Sequence, residues 1–306
     1  MLATAVTAPI SVPGFANTAM DGYALRTAGR GARAGQIFRC VDLALAGAEG
    51  QCIDDADACV EIATGAVLPE GADAAVQYEL CLRSGDHVQL LADVASGSNV
   101  RGAEDDYARG QLALRPGRVI DAGALGVLAG FGLSEVSVHR RPRIAVVVTG
   151  SELQPAGAAL ARGQIHDSNS ATLRALLSAH AESLRMIGPV PDDRALLAAT
   201  LRDAAHTHDV LLTAGGASAG RADFIPGLVR ELGEIRVWKV AMRPGMPFLC
   251  GRIGECLVFG LPGNPVSVFA SLLSLVLPVL RAMQGGAPVA PHAVRERLVI
   301  AQEAAV

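Results

Sequence analysis

Along residues 142–284, runs rich in Val, Ile and Leu alternate with segments whose apolar positions recur at helical spacing. RIAVVVTG, SLRMIGPV, DVLLTAGG, IRVWKVAM and CLVFG read as strands, and SATLRALLSAHA, DRALLAATLRDAA, ADFIPGLVRELG and NPVSVFASLLSLVLPVLRAM as helices. Near-continuous apolar strands between helices predict a mostly parallel sheet covered on both faces, an α/β domain. Before residue 142 the pattern changes. GQIFRCVDLAL, DACVEIATG, AAVQYELCL and HVQLLADV are short β-type pieces separated by turn residues, and Ala122–Gly130 is the one helix-like stretch. The expected organisation is an elongated β-rich region over 1–141, the α/β domain over 142–286, and a tail over 287–306.

Leu257–Leu280 holds no charged residue over 24 positions, enough on length to cross a bilayer. Its first third is interrupted by Gly260, Pro262, Gly263, Asn264 and Pro265, which predicts a strand, a loop and a buried core helix instead. Asn264 is the expected N-cap and Pro265 the first helical residue, where its missing N–H is harmless.

Charge and cysteine usage narrow the function classes. With 26 Lys+Arg against 30 Asp+Glu the net charge is -4, which gives no electrostatic footprint for nucleic acid. Six cysteines at 40, 52, 59, 81, 250 and 256 form no CxxC pair and read as mostly buried thiols in a reducing compartment. The N-terminus has no basic, then apolar, leader pattern, so a cytoplasmic location without membrane contact is expected.

In parallel sheets ligands gather outside the carboxyl ends of the strands. Four loops at such ends carry Gly, Pro and polar residues: TGSEL, GGASAG, RPGMP and GLPGNP. Gly215, Gly216 and Gly220 allow close backbone approach and Ser218 adds a hydroxyl, so the GGASAG loop reads either as a phosphate cradle or as a tight strand-to-helix turn. It is neither a Walker loop nor a GxGxxG fingerprint.

TGSEL (149–153), GQIHDSN (163–169), PDD (191–193), GGASAGRADF (215–224), WKVAMRPGMPF (238–248) and GLPGNPVS (260–267) follow one another in an order that resembles the molybdopterin molybdenumtransferase family, which includes the C-terminal part of gephyrin. VPGFANTAMDGYA (12–24) and ATGAVLPEGADA (63–74) resemble two further signatures of that family, so the likeness covers residues 10–284. It implies a molybdopterin-binding type of fold and a late step in molybdenum cofactor synthesis. Family members take adenylylated molybdopterin and molybdate, hydrolyse the adenylyl link with a divalent cation such as Mg²⁺, and release AMP. The family also implies a homodimer whose active cleft is shared between subunits. Its protein partners would be a molybdopterin adenylyltransferase or molybdoenzyme apoproteins.

By motif position the resemblance assigns catalytic roles to Asp21, Glu152, Asp192, Asp223, Lys239 and Arg243, the last two as anion contacts. It assigns metal ligation to Asp106, Glu152, Asp192 and Asp223, since carboxylates beside a phosphoanhydride serve as oxygen ligands of a hard cation. Substrate contacts fall on Thr64, Gly215, Gly216, Ser218, Gly220, Pro262, Asn264, Pro265 and Ser267. Helix capping competes with ligation for Asp192 and Asp223, and with pterin or phosphate positioning for Asp167. His166 is read as a loop residue.

The departures are specific. Ser151 stands where the family writes Asp, Met246 where it writes a second Lys, and Arg221 where an acid is common. The RGAEDD run leaves Arg101 and Asp106 as matches. The family's leading helical segment is not found ahead of VPGF, and the residues after Gly286 are too few for its C-terminal β-barrel. Two alternatives stay open: a molybdopterin-binding carrier or scaffold with weakened catalysis, and the related adenylyltransferase.

Overall fold

The computed structural model describes residues 1–217 and 223–287. Ser218, Gly220 and Arg221, and nearly all of the 287–306 tail, lie outside the described residues. The described residues form two compact units: Thr4–Pro116 with Ile120–Val136, and Met1–Ala3 with Gly117–Val119 and the described residues from Ser137 onward.

The first unit is built on a six-stranded sheet with the order Ala74–Gln77, Gly22–Leu25, Ala58–Ile62, Ile37–Ala44, His87–Leu90, Cys81–Ser84. All its pairs are antiparallel except Ile37–Ala44 with Ala58–Ile62. Alternation places Tyr23, Leu25, Phe38 and Cys59 in one apolar cluster and Ala24, Val60 and Ile62 in another. The helix Ala122–Gly130 is present as expected, and the Asp121 carboxylate caps it by accepting from the Ala124 N–H at 2.8 Å.

The second unit has the sheet order Ser183–Val190, Arg143–Thr149, Val210–Ala214, Cys256–Leu261, Leu249–Ile253, Glu234–Trp238. The first four strands are parallel, as the alternating pattern predicted. Leu249–Ile253 is an added strand that runs antiparallel to both of its neighbours. Its sequence is short and broken by Gly251, where any Cβ would lie 2.3 Å from the Glu234 carbonyl oxygen, so it carries no strand period to read. The IRVWKVAM run also ends early, at Trp238, because Lys239 turns the chain at φ 65°.

Side-chain alternation divides the core into two layers. Ile144, Val146, Val148, Val210 and Leu212 pack against Leu173 and Leu177 of Asn169–Leu177 and against Val268, Leu272 and Val276. Ala145, Val147, Leu211 and Val258 face the other way, onto Leu197 and Leu201 of Arg194–Thr207 and Leu228 and Val229 of Ile225–Leu232. With both faces covered, the central strand Arg143–Thr149 is apolar and buried from Ile144 to Val148. The apolar stretch Pro265–Met283 is long and apolar enough to cross a membrane by composition, and in the fold its Val268, Leu272 and Leu280 belong to the sheet's core.

Asp209 fixes the opposite end of the central strands. Its carboxylate accepts from Arg140 Nη1 at 2.6 Å, Arg140 Nη2 at 2.9 Å and the Arg143 N–H at 2.7 Å. The Arg140 hydrogen bonds, with those of Arg143, hold the acid well below the usual carboxylate range. A depressed carboxyl contributes stability that is fully present above its unfolded pKa of about 3.9 and is lost as pH falls towards the folded value. Asp209→Asn is expected to lose about 2 kcal/mol at neutral pH. In urea titrations the gap to the parent chain closes as pH drops below about 4; a gap independent of pH would contradict this role.

Candidate active site

Four parallel strands end at one rim, and the loops that follow enclose a cleft of about 410 Å³. Thr149, Gly150 and Glu152 enter it after Arg143–Thr149, Asp192 after Ser183–Val190, Gly215, Gly216 and Asp223 after Val210–Ala214, and Gly263, Asn264 and Pro265 after Cys256–Leu261. The GQIHDSN segment supplies Ile165 to Asn169. The cleft thus brings together Glu152, Asp192, Asp223, Gly215, Gly216, Asn264 and Pro265 from the residues singled out in the sequence.

Asp192 is set by a reciprocal clasp. Ser151 N–H donates to Asp192 Oδ2 at 3.2 Å, and Asp192 N–H donates back to Ser151 Oγ at 3.0 Å. The buried Thr149 hydroxyl lies 3.0 Å from Asp192 Oδ1 and 3.1 Å from the Val190 carbonyl. Helix capping falls to the next residue, where Asp193 accepts from the Leu196 N–H at 2.9 Å. The capping alternative for Asp192 is thereby answered: its neighbour caps, and Asp192 faces the cleft.

Asp167 takes the opposite outcome. It accepts from the Ser170 N–H at 2.9 Å and from the Ser170 hydroxyl, which satisfies the start of Asn169–Leu177. Asn264 caps its helix as predicted, accepting from the Val266 and Ser267 N–H groups at 3.0 and 3.3 Å, with Pro265 in the first turn.

The glycine loop has a packing reason of its own. A Cβ on Gly215, at φ +97°, would stand 2.2 Å from the Thr149 carbonyl oxygen. The Gly215 N–H already donates to the Leu261 carbonyl at 3.2 Å, so it is not offered to an anion. Within the described part of this loop, the tight-turn reading accounts for Gly215 without a ligand.

Sequence reasoning missed Asn169. Its Nδ2 donates to the Gly263 carbonyl at 2.9 Å, which fixes the amide's orientation, while its Oδ1 has no hydrogen-bond partner although the residue is only 6% exposed. A buried acceptor left unpaired costs about 1–3 kcal/mol. The signal was its place at the end of GQIHDSN, where capping by Asp167 drew the reading.

Lys239 and Arg243 do not line the cleft. Lys239 Nζ stands 5.1 Å from the centre of the Trp238 ring. Pro262 and Ser267 also lie outside the lining, and Ser267 is buried in the helix start. Asp21, Thr64 and Asp106 belong to the first unit. There Asp21 Oδ1 accepts from the Thr64 N–H at 2.6 Å and its hydroxyl at 2.8 Å. The backbone bond chiefly, then the hydroxyl, lowers the acid from its ordinary value. The adjoining Gly22 is obligatory, since a Cβ would fall 1.8 Å from the Val76 carbonyl oxygen. Asp106 pairs with Arg101 at 2.9 Å. Among the described residues no group of three His, Cys, Asp or Glu is assembled to hold a metal ion.

Comparison with known proteins identifies the family. Residues 1–132 match the MoeA N-terminal region (domain I and II), and residues 145–282 match the family described as a probable molybdopterin binding domain. Molybdopterin molybdenumtransferase of Haemophilus influenzae is 33% identical over 287 residues, 92% of this chain and 69% of the relative. Molybdopterin molybdenumtransferase 2 of Mycobacterium tuberculosis is 34% identical over 297 residues, 94% of this chain and 73% of the relative. The crystal structure of the molybdopterin biosynthesis moeA protein from Pyrococcus horikosii is 30% identical and superposes with a TM-score of 0.76 over 93% of this chain and 72% of that one. The chain therefore belongs to the molybdopterin molybdenumtransferase family.

Proposed function

We propose that the strand-end cleft inserts molybdate into adenylylated molybdopterin, with hydrolysis of the adenylyl link and release of AMP. The observation that carries this reading is the convergence of Glu152, Asp192 and Asp223 with the orphaned acceptor of Asn169 on one cleft. Water attacks the phosphoanhydride phosphorus, the P–O bond to the leaving phosphate breaks, and AMP departs. Asp192, immobilised by Ser151 and Thr149, offers its remaining lone pairs to the cleft, and Asn169 accepts an N–H from a ligand heterocycle.

The donor set fits a hard cation in kind. Glu152, Asp192 and Asp223 offer oxygen only, and Mg²⁺ typically binds through one or two carboxylates together with substrate phosphate oxygens, so it needs no preassembled three-residue cage. Such an ion would neutralise phosphoanhydride charge and act as a Lewis acid. Asp106, Lys239 and Arg243 keep their assigned roles, metal ligation for the first and anion contact for the others, within a homodimer whose clefts are shared between subunits.

A carrier with weakened catalysis is the second reading. Ser151 and Met246 each remove a charge expected from the family, and Lys239 and Arg243 lie outside the cleft lining. Reconstitution with adenylylated molybdopterin, molybdate and Mg²⁺ separates the two. The transferase releases AMP and stops when the cation is chelated; tight pterin binding without AMP release would support the carrier. ATP-dependent adenylylation of free molybdopterin would favour the adenylyltransferase. Asp192→Asn is expected to slow AMP release on the order of 10²-fold with the thermal transition retained; an unchanged rate would remove Asp192 from the site. Asn169→Leu should weaken binding of the adenylylated pterin about 10-fold, read by titration calorimetry, and unaltered affinity would reduce Asn169 to its bond with Gly263.

A further inference from the structure

The first unit holds three thiols in a single apolar cluster, and the proposed activity uses none of them. Cys59 is fully buried in that cluster, with Cys40 and Cys81 packed against it and partly exposed. Cys40 and Cys59 stand directly opposite one another on the parallel pair Ile37–Ala44 and Ala58–Ile62. Two rows of side chains pack through this face: Phe38 and Cys40 on one strand, Cys59 and Glu61 on the next. Neighbouring strands lie about 4.8 Å apart, a spacing inside the Cα range of about 4.4–6.8 Å that disulfides join. The register slips between Cys40 and Asp42, which gives the chain local latitude beside the first thiol.

From this geometry we infer that Cys40 and Cys59 are an oxidisable dithiol, converted to an intramolecular disulfide by a hydroperoxide. The two sulfurs have unequal environments, which sets the order of events. Burial above all, and then the neighbouring Cys40, pushes the Cys59 thiol up to about 12, so it remains protonated and sheltered. Cys40 is the accessible member of the pair, whereas Cys59 is fully buried. Cys40 therefore reacts first. Its thiolate sulfur attacks the peroxide, the O–O bond breaks, and the sulfur is oxidised to a sulfenic acid while hydroperoxide is reduced to water or alcohol. Cys59 sulfur then attacks the sulfenic sulfur. The S–S bond forms, the S–O bond breaks, and the hydroxyl leaves as water with the Cys59 proton.

Cys81 does not compete on register. It pairs with Leu90 on the far side of His87–Leu90, and burial pushes its thiol up to about 11. Cys250 and Cys256 belong to the other unit.

The test uses the full chain, reduced, freed of reductant and treated with a small excess of hydrogen peroxide. Intact mass after alkylation should show loss of two hydrogens and two fewer alkylated thiols. Peptide mapping should join the peptides of Cys40 and Cys59, and dithiothreitol should restore both. Cys81→Ser should leave the cross-link in place. Cys40→Ser, made at the accessible position, should abolish it and leave Cys59 unoxidised, whereas Cys59→Ser should leave a sulfenic acid on Cys40 that dimedone traps. A cross-link between another pair, or oxygen addition at Cys40 while Cys59 stays free, would overturn the inference. Circular dichroism on each variant separates loss of the cross-link from loss of the fold.

Discussion

The site depends on the burial of both faces of the parallel strands. Ala145 and Val147 point into one core layer while Ile144, Val146 and Val148 point into the other, so Arg143–Thr149 carries no exposed functional group between Arg143 at its start and Thr149 at its end. Every polar group available for chemistry is displaced to where the strand stops pairing. Thr149 is the first such residue, buried and hydrogen-bonded, and the residues that follow it turn into the cleft. The same constraint applies to Val210–Ala214, whose five residues are all buried before Gly215 brings its backbone against Thr149. The close approach of those two strand ends is what makes a single cleft out of four separate loops.

Hydrogen bonding then sorts the polar residues of that rim into those that build it and those left for a ligand. Asp167, Asp193 and Asn264 spend their side-chain oxygens on helix starts, which lack intrahelical partners for their first N–H groups. Asp192 is held by two donors, and a carboxylate has lone pairs beyond those two. Asn169, which lines the cleft, keeps an acceptor that the fold leaves unmatched. Preorganisation of this type means the charge is in place before substrate arrives, so little is spent on reorienting it during reaction.

Much of the second unit was legible because its elements are long and strongly periodic. The four parallel strands and the helix starts at Asn264 and near Asn169 follow from apolar period and capping chemistry alone. Leu249–Ile253 was not legible, because Gly251 and the turn at Gly254 interrupt the pattern and its pairing is set by contacts distant in sequence. At the site, the motif order grouped Glu152, Asp192 and Asp223 with Asp106; the first three line one cleft, and Asp106 belongs to the other unit. The motif order could not distinguish Asp192 from Asp193 as the cap, since adjacent aspartates before a helix differ only in which one has extended backbone geometry. Asn169 was hidden for a similar reason: its Nδ2 partner, Gly263, lies 94 positions away.

Ser151 changes meaning once its contacts are known. Where the family resemblance leads to aspartate, the serine subtracts one negative charge from a rim that already presents Glu152, Asp192 and Asp223. A fourth carboxylate would add negative charge that repels an anionic substrate unless a cation were bound there. Serine keeps the backbone donor and supplies a hydroxyl acceptor, and both are used to clasp Asp192. The substitution therefore removes a ligand candidate while stiffening another. The physical consequence is a site that leans on fewer, better-held carboxylates, in which a bound cation would draw its remaining coordination from the substrate's own phosphate oxygens and water.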